Sequence, residues 1–421
     1  MASNVPHYCG IDFGTSNSTV ALATAGAHFL ATLEGVEASL PSAIFFSAAT
    51  GRAVFGRAAI NEYLSGENGR FMRALKSVIG RPLFHEKTRI EKRDVTLADI
   101  LSLYLRHLKT TTERQIGHEI REVVLGRPVQ FIEDSTALDT QAQRDLEEAA
   151  RKIGFDHIEF QFEPIAAALE YETSIVREQV VLVADIGGGT SDFSIVRVAP
   201  DKVKAADRTK DILANRGIRV GGTDFDQQLA MKQVMPLLGH GSMYGAKNLE
   251  MPTWIYRDLS TWSNVNFVYE HKVVSEIKAL RKEAKKPKLL ERLSSVLEHQ
   301  SGHRLIGDVE RAKITLSAAD EARLDLAYIE NDFSLPVSQR NFETSIADLV
   351  RRVEDCIAQT VTDAAVPAAR INTVFMTGGS SMARPIQASI RRLFPAAEIV
   401  SGDVFGAVGK GLGLDARRKF G

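Results

Sequence analysis

Two segments of the chain share one pattern of apolar and polar positions. Residues 10–22 read GIDFGTSNSTVAL, and residues 183–196 read VADIGGGTSDFSIV. In each, an apolar run ends at an aspartate, a turn of small residues follows, and a second alternating run begins, which is typical of a β-hairpin. The copies lie about 170 residues apart, a spacing that fits a duplicated lobe. The sequence therefore predicts two lobes of related topology, each giving an aspartate and a turn to a shared cleft.

Other segments alternate between helical and strand patterns. Apolar residues recur at helical spacing over 139–153, where Asp139 is placed to cap the helix, and over 164–171 and 341–365. Residues 371–379 read as a buried strand that runs into a glycine pair. Strands that alternate with helices indicate an α/β sheet, with one lobe over 1–178 and the other over 179–421.

The second lobe contains a segment of different character. Residues 239–303 carry both tryptophans and the basic stretch 278–292, KALRKEAKKPKLLER, and predict an insertion. We expect the tryptophans to form a small core of that insertion. A run of charge is more often a solvated helix face, and the alternative for 278–292 is a docking site for a partner.

Composition narrows the class of protein. The net charge is −1 over 421 residues, which argues against nucleic acid as a partner. The two cysteines, Cys9 and Cys356, are too few for a disulfide framework or a cysteine metal site. The sequence shows no signal peptide and no apolar run of membrane-spanning length, so we expect a soluble, cytoplasmic protein with no membrane partner.

The two turns are suited to bind phosphate. Thr15, Ser16 and Asn17 add side-chain donors to the exposed N–H groups of the first turn. Three glycines, 187–189, allow a close approach of the second backbone to a ligand. Asp12 and Asp185 would repel each other unless a cation lay between them, and Mg²⁺ held through water is the cation we expect. An ordinary tight turn is the competing interpretation of each motif.

A third turn, Thr377 to Ser381, has a glycine pair that would let a nucleoside lie against the backbone, although a plain strand-to-helix turn is the commoner explanation. Neither a Walker A motif nor a Rossmann fingerprint occurs at the expected junctions, and HExxH and G-x-S-x-G are absent.

Seven ordered motifs together resemble the nucleotide-binding domain of the DnaK-type heat-shock chaperones, in the actin and hexokinase superfamily. Besides the three turns, they are FMRALKSVIGR at 71–81, FEPIAAALEY at 162–171, RVGGTDFDQQL at 219–229 and ERAKITLS at 310–317. The resemblance implies a duplicated, actin-like (ribonuclease H-like) α/β fold with two lobes around a nucleotide cleft. The chain ends where that family has a linker and a peptide-binding domain, so it most resembles the truncated, chaperone-like bacterial proteins of the YegD type.

The resemblance also implies the site residues. The catalytic residues would be Lys76, Glu163, Asp185, Thr190 and Asp192, and the metal residues Asp12 and Asp185. The ATP-binding residues would be Gly14, Thr15, Ser16, Asn17, Gly187, Gly188, Gly189, Thr190, Gly221, Gly222, Glu310, Lys313, Ser317, Gly378, Gly379 and Ser380.

Two positions depart from the family pattern. Arginines that stack on adenine in the family are replaced here by Ile314 and Met382. Each lost cation–π contact would weaken nucleotide binding by about 0.5–2 kcal/mol.

The function expected from the sequence is slow Mg·ATP hydrolysis that drives lobe closure and signals to a partner protein or co-chaperone. The main alternative is a non-catalytic module that senses nucleotide. A polymerising actin-like filament protein is disfavoured by the GG-x-DFD match, and a small-molecule kinase is disfavoured because no sugar-binding loop with an acidic base is recognisable.

Overall fold

The computed structural model describes residues 7–90, 93–132, 135–173, 175–205, 207–400 and 406–421. The chain forms two compact units. The first comprises residues 1–219, 356–381 and 394–421, and the second comprises residues 220–355 and 382–393.

Strands are numbered in chain order. They are β1 Tyr8–Phe13, β2 Asn17–Ala23, β3 His28–Leu30, β4 Ser39–Pro41, β5 Ala43–Ser47, β6 Ala53–Phe55, β7 Gly69–Arg73, β8 Lys87–Ile90, β9 Arg93–Thr96, β10 Glu122–Arg127, β11 His157–Phe162, β12 Gln179–Ile186, β13 Ser191–Val198, β14 Ile212–Ile218, β15 Met243–Tyr244, β16 Leu249–Glu250, β17 Glu321–Asp325, β18 Ser334–Ser338, β19 Ile371–Thr377 and β20 Glu398–Val400.

The α-helices are α1 Gly56–Leu64, α2 Leu97–Ile116, α3 Thr136–Lys152, α4 Glu163–Glu172, α5 Gly222–Leu229, α6 Thr253–Leu259, α7 His271–Glu283, α8 Pro287–Glu298, α9 Gly302–Leu316, α10 Gln339–Asp363, α11 Arg384–Leu393 and α12 Ala407–Phe420. A π-helical turn spans Ala230–Val234. Short 3₁₀ turns include Leu75–Val78, Pro82–His85, Pro200–Lys204, Thr209–Asp211, Met235–Leu238, Val265–Tyr269, Ala368–Arg370 and Gly379–Met382.

The two large sheets of the first unit repeat one topology. The strand order is β3-β2-β1-β10-β11 in one sheet and β14-β13-β12-β19-β20 in the other. In each, three antiparallel strands are followed by two parallel strands. The predicted duplication and α/β fold class are therefore confirmed. Each of the two predicted lobes carries one of these sheets, and the lobe boundaries stay a prediction.

Helices α4 and α12 pack together between the two sheets. Buried residues of both helices join residues of β10, β12 and β13 in one apolar cluster. The approach is close because glycines face the partner backbones, and a Cβ at Gly411 would collide with the carbonyl of Ala166 in α4. A Cβ at Gly10 in β1 would collide with Gly413 of α12 in the same way. The sequence 407–413 thus allows α12 to lie directly on the backbone of its neighbours.

A second cluster covers the other face of the first sheet. Helices α2 and α3 bury residues such as Tyr104 and Leu146 against strand residues such as Ile11 and Val123. The predicted cap of α3 is wrong. Ser135 is the N-cap and accepts from Leu138 N, because the helix begins one turn before the start that the apolar pattern indicated. Asp139 instead pairs with Arg127 at 3.0 Å.

The second unit is mainly helical. Helix α5 packs on α9 and α7 packs on α8, with a small β17–β18 hairpin beside α9. Its buried residues include Phe225, Leu290, Leu293 and Val309. The prediction that both tryptophans form a small core holds only in part. The ring of Trp262 packs on that of His303, with 5.0 Å between the ring centroids, whereas Trp254 is exposed.

A buried ionic network secures the C-terminal end of α4. The Arg208 guanidinium contacts both carboxylate oxygens of Glu172 at 2.8 Å and donates to Asp211 at 2.6 Å. The side chains of Arg208, Glu172 and Asp211 are almost fully buried. Glu172 also accepts from Ala199 N at 2.9 Å. Because the charges are paired bidentately and have further hydrogen bonds, removal of one partner leaves an uncompensated buried charge.

We predict that Glu172→Ala lowers the free energy of unfolding by about 3–5 kcal/mol, because Arg208 then loses its bidentate partner inside the protein. The measurement is urea denaturation at neutral pH. The matched control is Glu178→Ala, whose exposed side chain lies 3.6 Å from Arg197 and should change stability by less than about 1 kcal/mol. Equal effects of the two substitutions would contradict the assigned role of the network.

Candidate functional site

The first turn follows β1 directly. Asp12 is the second-last residue of β1 and pairs in register with Thr19 of β2. Gly14 packs so closely on the Asn17 carbonyl that a Cβ there would collide with it. Ser42, which the sequence did not single out, donates from Oγ to Gly14 O at 2.7 Å and from N to Ser16 O at 2.8 Å. The loop from Gly14 to Asn17 is therefore tight, and hydrogen bonds from Ser42 hold it in place.

The second turn repeats this arrangement in the other sheet. Asp185 lies near the end of β12, opposite Asp192 of β13. Gly187 N donates to Thr190 O at 2.9 Å and closes the turn. A Cβ at Gly188 would collide with Ser16 Oγ. The two predicted phosphate turns therefore come face to face, although they are far apart in sequence.

The third turn adjoins the second. Thr377 pairs with Asp185 across β19 and β12. Gly378 has φ +75, a conformation that favours glycine, and its Cβ position lies 2.5 Å from Asp185 Oδ1. Gly379 and Ser380 begin the short 3₁₀ turn that follows. The glycine pair here is thus required by both backbone conformation and close approach.

Lys76 and Glu163 form an ion pair at this group of turns. The Lys76 Nζ lies 2.6 Å from Glu163 Oε1, and the two side chains are only 12% and 13% exposed. Glu163 is the first residue of α4 and is followed by Pro164, a residue suited to the first turn of a helix. The fold therefore brings the predicted catalytic lysine and glutamate together, although they are 87 residues apart in sequence.

The segment that carries Lys76 is anchored on α3. Asp145 accepts from Gly80 N at 3.0 Å and lies 3.1 Å from His85 Nε2. A Cβ at Gly80 would crowd Leu138 and Ala142 of α3. Neither Asp145 nor His85 was expected from sequence, and the IGR motif at 79–81 was the nearest signal.

Four ionisable side chains lie close enough to interact electrostatically; they are Asp12, Lys76, Glu163 and Asp185. Burial first, and the nearby Glu163 carboxylate second, raise the pKa of Asp12 to about 8. The same two causes raise the pKa of Asp185 to about 6. Burial alone would lower the pKa of Lys76, but Glu163, Asp12 and Asp185 together raise it. The carboxyl groups thus outnumber the ammonium group, and an additional cation would be stabilised here.

The aspartates fit the Mg²⁺ that the sequence predicts. Mg²⁺ keeps several waters and is commonly held by one or two carboxylates together with phosphate oxygens. Asp12 and Asp185 supply two such carboxylates, and burial together with the neighbouring Glu163 raises the pKa of both, so a bound cation would favour their charged forms. Among the described residues, no group of three or more His, Cys, Asp or Glu side chains is arranged to ligate a metal directly.

The remaining predicted residues lie in the second unit. Gly221 and Gly222 begin α5, where Asp224 accepts from Gly221 N at 2.8 Å. Lys313 of α9 donates to Asp226 at 2.8 Å and to Gly222 O at 3.2 Å. The GG-x-DFD and ERAK motifs are therefore joined by a hydrogen-bonded ion pair. Glu310 lies on the same helix, α9, and Ser317 is its C-cap residue.

The two departures from the family pattern are exposed in that unit. The Ile314 side chain is 60% exposed and the Met382 side chain is 38% exposed. Large apolar side chains with this exposure are available to contact a ligand.

A cavity of about 460 Å³ lies elsewhere in the first unit. Its lining includes Arg127, Phe160, Arg208 and Lys419, and no predicted site residue. No motif in the sequence indicates this cavity.

Comparison with known proteins agrees with these motifs. A family model described as "Hsp70 protein" matches residues 8–235 and 275–411. The chain belongs to the Hsp70 family. The match omits residues 236–274, which overlap the predicted insertion, and the bounds of that insertion stay a prediction.

Two Hsp70-family relatives are similar over most of the chain. They are the chaperone protein DnaK of Thermosipho africanus (strain TCF52B) and that of Thermosipho melanesiensis (strain DSM 12029 / CIP 104789 / BI429). Each is 26% identical over 404 residues, covering 94% of this chain and 56% of the relative. The chain thus spans just over half the length of these relatives. Among the described helices, none combines the length and apolarity needed to cross a membrane.

We predict a pH-dependent effect of Asp12→Asn on stability without nucleotide. Because the folded-state pKa of Asp12 is raised to about 8, its carboxyl binds a proton more tightly in the folded protein than in the unfolded chain. The stability that this extra proton binding gives to the folded protein is therefore lost progressively as pH rises from about 4 to 8. The asparagine variant should gain on the order of 4 kcal/mol over wild type between pH 5 and pH 8.

The measurement is urea denaturation at several pH values in the absence of Mg²⁺. Asp94→Asn, in exposed strand β9, is the charge-matched control and should follow the wild-type profile. A stability difference between Asp12→Asn and wild type that is constant with pH would contradict the assigned environment of Asp12.

Proposed function

We propose that this chain is a slow, Mg²⁺-dependent ATPase of the chaperone class, whose nucleotide state is communicated to a partner protein or co-chaperone. The observation that carries the proposal is the buried Lys76–Glu163 ion pair beside Asp12 and Asp185, at the meeting point of glycine-rich turns. Family membership supports the ATPase class.

The turns supply the binding groups. Backbone N–H groups of residues 14–17 and 187–190, with Thr15 and Thr190, would hold the β- and γ-phosphates. Bound Mg²⁺, kept in place through water by Asp12 and Asp185, would neutralise phosphate charge. Such preorganised donors stabilise the transition state without reorganisation at the moment of reaction.

The charged side chains supply the catalytic environment. Lys76 is already held by Glu163, so its ammonium group is fixed in direction before substrate arrives. It can then neutralise developing charge or orient the attacking water, while Glu163 and Asp192 accept hydrogen bonds from waters near the γ-phosphate. These roles, like the predicted lobe closure and cytoplasmic location, remain proposals.

The second candidate is a module that binds nucleotide without hydrolysing it. The replacement of two adenine-stacking arginines by Ile314 and Met382 favours it. The intact set of Asp12, Lys76, Glu163 and Asp185 favours hydrolysis, because a sensor needs no buried charge cluster at the phosphates.

We predict that Lys76→Met lowers steady-state ATP hydrolysis by about 10²–10³-fold, because one preorganised charged group is lost. The double variant Lys76→Met/Glu163→Gln should be as inactive, and it avoids leaving Glu163 charged without its partner. Lys87→Met, in the exposed strand β8, is the control and should retain wild-type turnover.

Nucleotide binding is measured in parallel by calorimetry. Turnover that persists in the double variant would refute the catalytic role of the pair. Binding without Mg²⁺-dependent turnover in wild type would leave the nucleotide-sensing module as the function.

We further predict that Ile314→Arg and Met382→Arg each tighten ATP binding by several-fold, because a guanidinium stacked on a base is worth about 0.5–2 kcal/mol. Leu249→Arg, at another exposed apolar position of the second unit, should leave the dissociation constant unchanged. An equal gain in all three variants would indicate general attraction of ATP by positive charge rather than a base site at Ile314 and Met382.

A further inference from the structure

A strongly basic corner joins two helices of the second unit. Residues 278–288 contain six lysines or arginines and one glutamate, in a protein whose net charge is −1. Helix α7 ends within this segment and α8 begins in it, at Pro287. We call the four exposed cations at its centre the basic corner; they are Arg281, Lys282, Lys285 and Lys286.

The basic corner lacks internal compensation. Its flanking cations are paired, Lys278 with Glu298 at 3.9 Å and Lys288 with Glu330 at 2.9 Å. Within the part of the chain that the structure describes, no carboxylate lies within 4.0 Å of a charged group of the basic corner. Like charges this close repel one another, and an anionic partner would relieve the repulsion.

The corner is also fixed in position by the β15–β16 hairpin. Lys285 N donates to Met243 O at 2.8 Å, and Gly245 N donates to Glu283 O at 3.0 Å. A further β-bridge joins Tyr244 to Ala284. The cations therefore project from an ordered backbone, which reduces the entropy that binding has to overcome.

The same hairpin presents apolar side chains. Met243 is 41% exposed and Leu249 is 50% exposed. Met243 is the residue whose carbonyl contacts Lys285, so apolar and cationic groups share one surface. A flexible methionine beside basic residues suits a partner that combines acidic with apolar side chains.

We propose that the basic corner and the β15–β16 hairpin form a docking surface for an acidic, leucine-containing segment of a partner protein. The carboxylates of the segment would pair with the four cations, and its apolar side chains would cover Met243 and Leu249. This surface lies outside the proposed phosphate-binding turns, so the proposal does not depend on ATP hydrolysis.

Nucleic acid fits this surface less well. Single strands bind through aromatic side chains that stack on bases as well as through cations. Within 278–288 and the hairpin 243–250, the aromatic residue is Tyr244, which is partly buried and tied to Ala284. Met243 and Leu249 have no aromatic ring on which a base could stack.

The test uses the full chain and a short fluorescein-labelled peptide that alternates glutamate pairs with leucine. Binding is followed by fluorescence anisotropy. Two comparison peptides replace every glutamate with glutamine or every leucine with serine. Oligo-dT and vesicles containing phosphatidylserine compete for the surface in parallel.

One variant reverses the basic corner by Arg281→Glu, Lys282→Glu, Lys285→Glu and Lys286→Glu. A second, Met243→Ser/Leu249→Ser, removes the apolar part. The matched control reverses four exposed cations of the first unit, Arg52, Lys87, Arg93 and Arg106. Circular dichroism and ATP binding verify that each variant is folded, since none of these residues belongs to the proposed nucleotide site.

We expect the acidic peptide to bind wild type and the control, and to bind the corner-reversed variant at least about tenfold more weakly. Binding should weaken as salt rises from about 50 to 300 mM, and each comparison peptide and the Met243→Ser/Leu249→Ser variant should bind less tightly. Equal binding to the corner-reversed variant and wild type would overturn the proposal. Preferential binding of oligo-dT or vesicles would overturn it in favour of nucleic acid or a membrane surface.

Discussion

The ion pair between Lys76 and Glu163 is the interaction around which the site is organised, because it places one ammonium group among three carboxyl groups. If Lys76 were removed, the carboxylates of Asp12, Glu163 and Asp185 would repel one another in a region where water screens charge poorly. Even with it, the pKa values of Asp12 and Asp185 stay raised, to about 8 and about 6. Burial and the neighbouring Glu163 carboxylate thus disfavour a charge on either aspartate, and a bound cation would offset that cost.

That pair depends on packing well away from it. Lys76 sits on a segment anchored by the bond from Gly80 to Asp145, whereas Glu163 sits at the start of α4. The other end of α4 is held by Glu172 and its buried bonds to Arg208. Since α4 also lies flush against α12 through Gly411, the helix has little freedom to shift. Rigid support of this kind is what a preorganised charged site needs.

The sequence was sufficient to predict the elements that recur or have a strong period. The paired hairpins at 10–22 and 183–196 were recognisable because alternation and turn chemistry are local signals. Ser42 and Asp145 were not, since their hydrogen bonds to Gly14 and Gly80 join positions 28 and 65 residues apart. The cap of α3 was assigned to Asp139 because the helical spacing of apolar residues was taken to begin there, whereas the helix begins at Thr136 with Ser135 as its N-cap. Arg208 stands in a polar loop that reads as surface, yet three-dimensional pairing with Glu172 buries it.

Under the proposed function, the phosphate and base ends of the nucleotide would be recognised by different physical means. The phosphate turns have glycine-rich backbones, a lysine and two aspartates, all closely packed in the first unit. The base residues would be neutral at Ile314 and Met382, where the family pattern has guanidinium groups. Backbone N–H groups and charges discriminate strongly by the number of phosphates, whereas apolar contact discriminates weakly among bases of similar shape. Such a protein would distinguish ATP from ADP more sharply than ATP from GTP, so its output would follow the phosphorylation state of the nucleotide pool rather than the identity of the base.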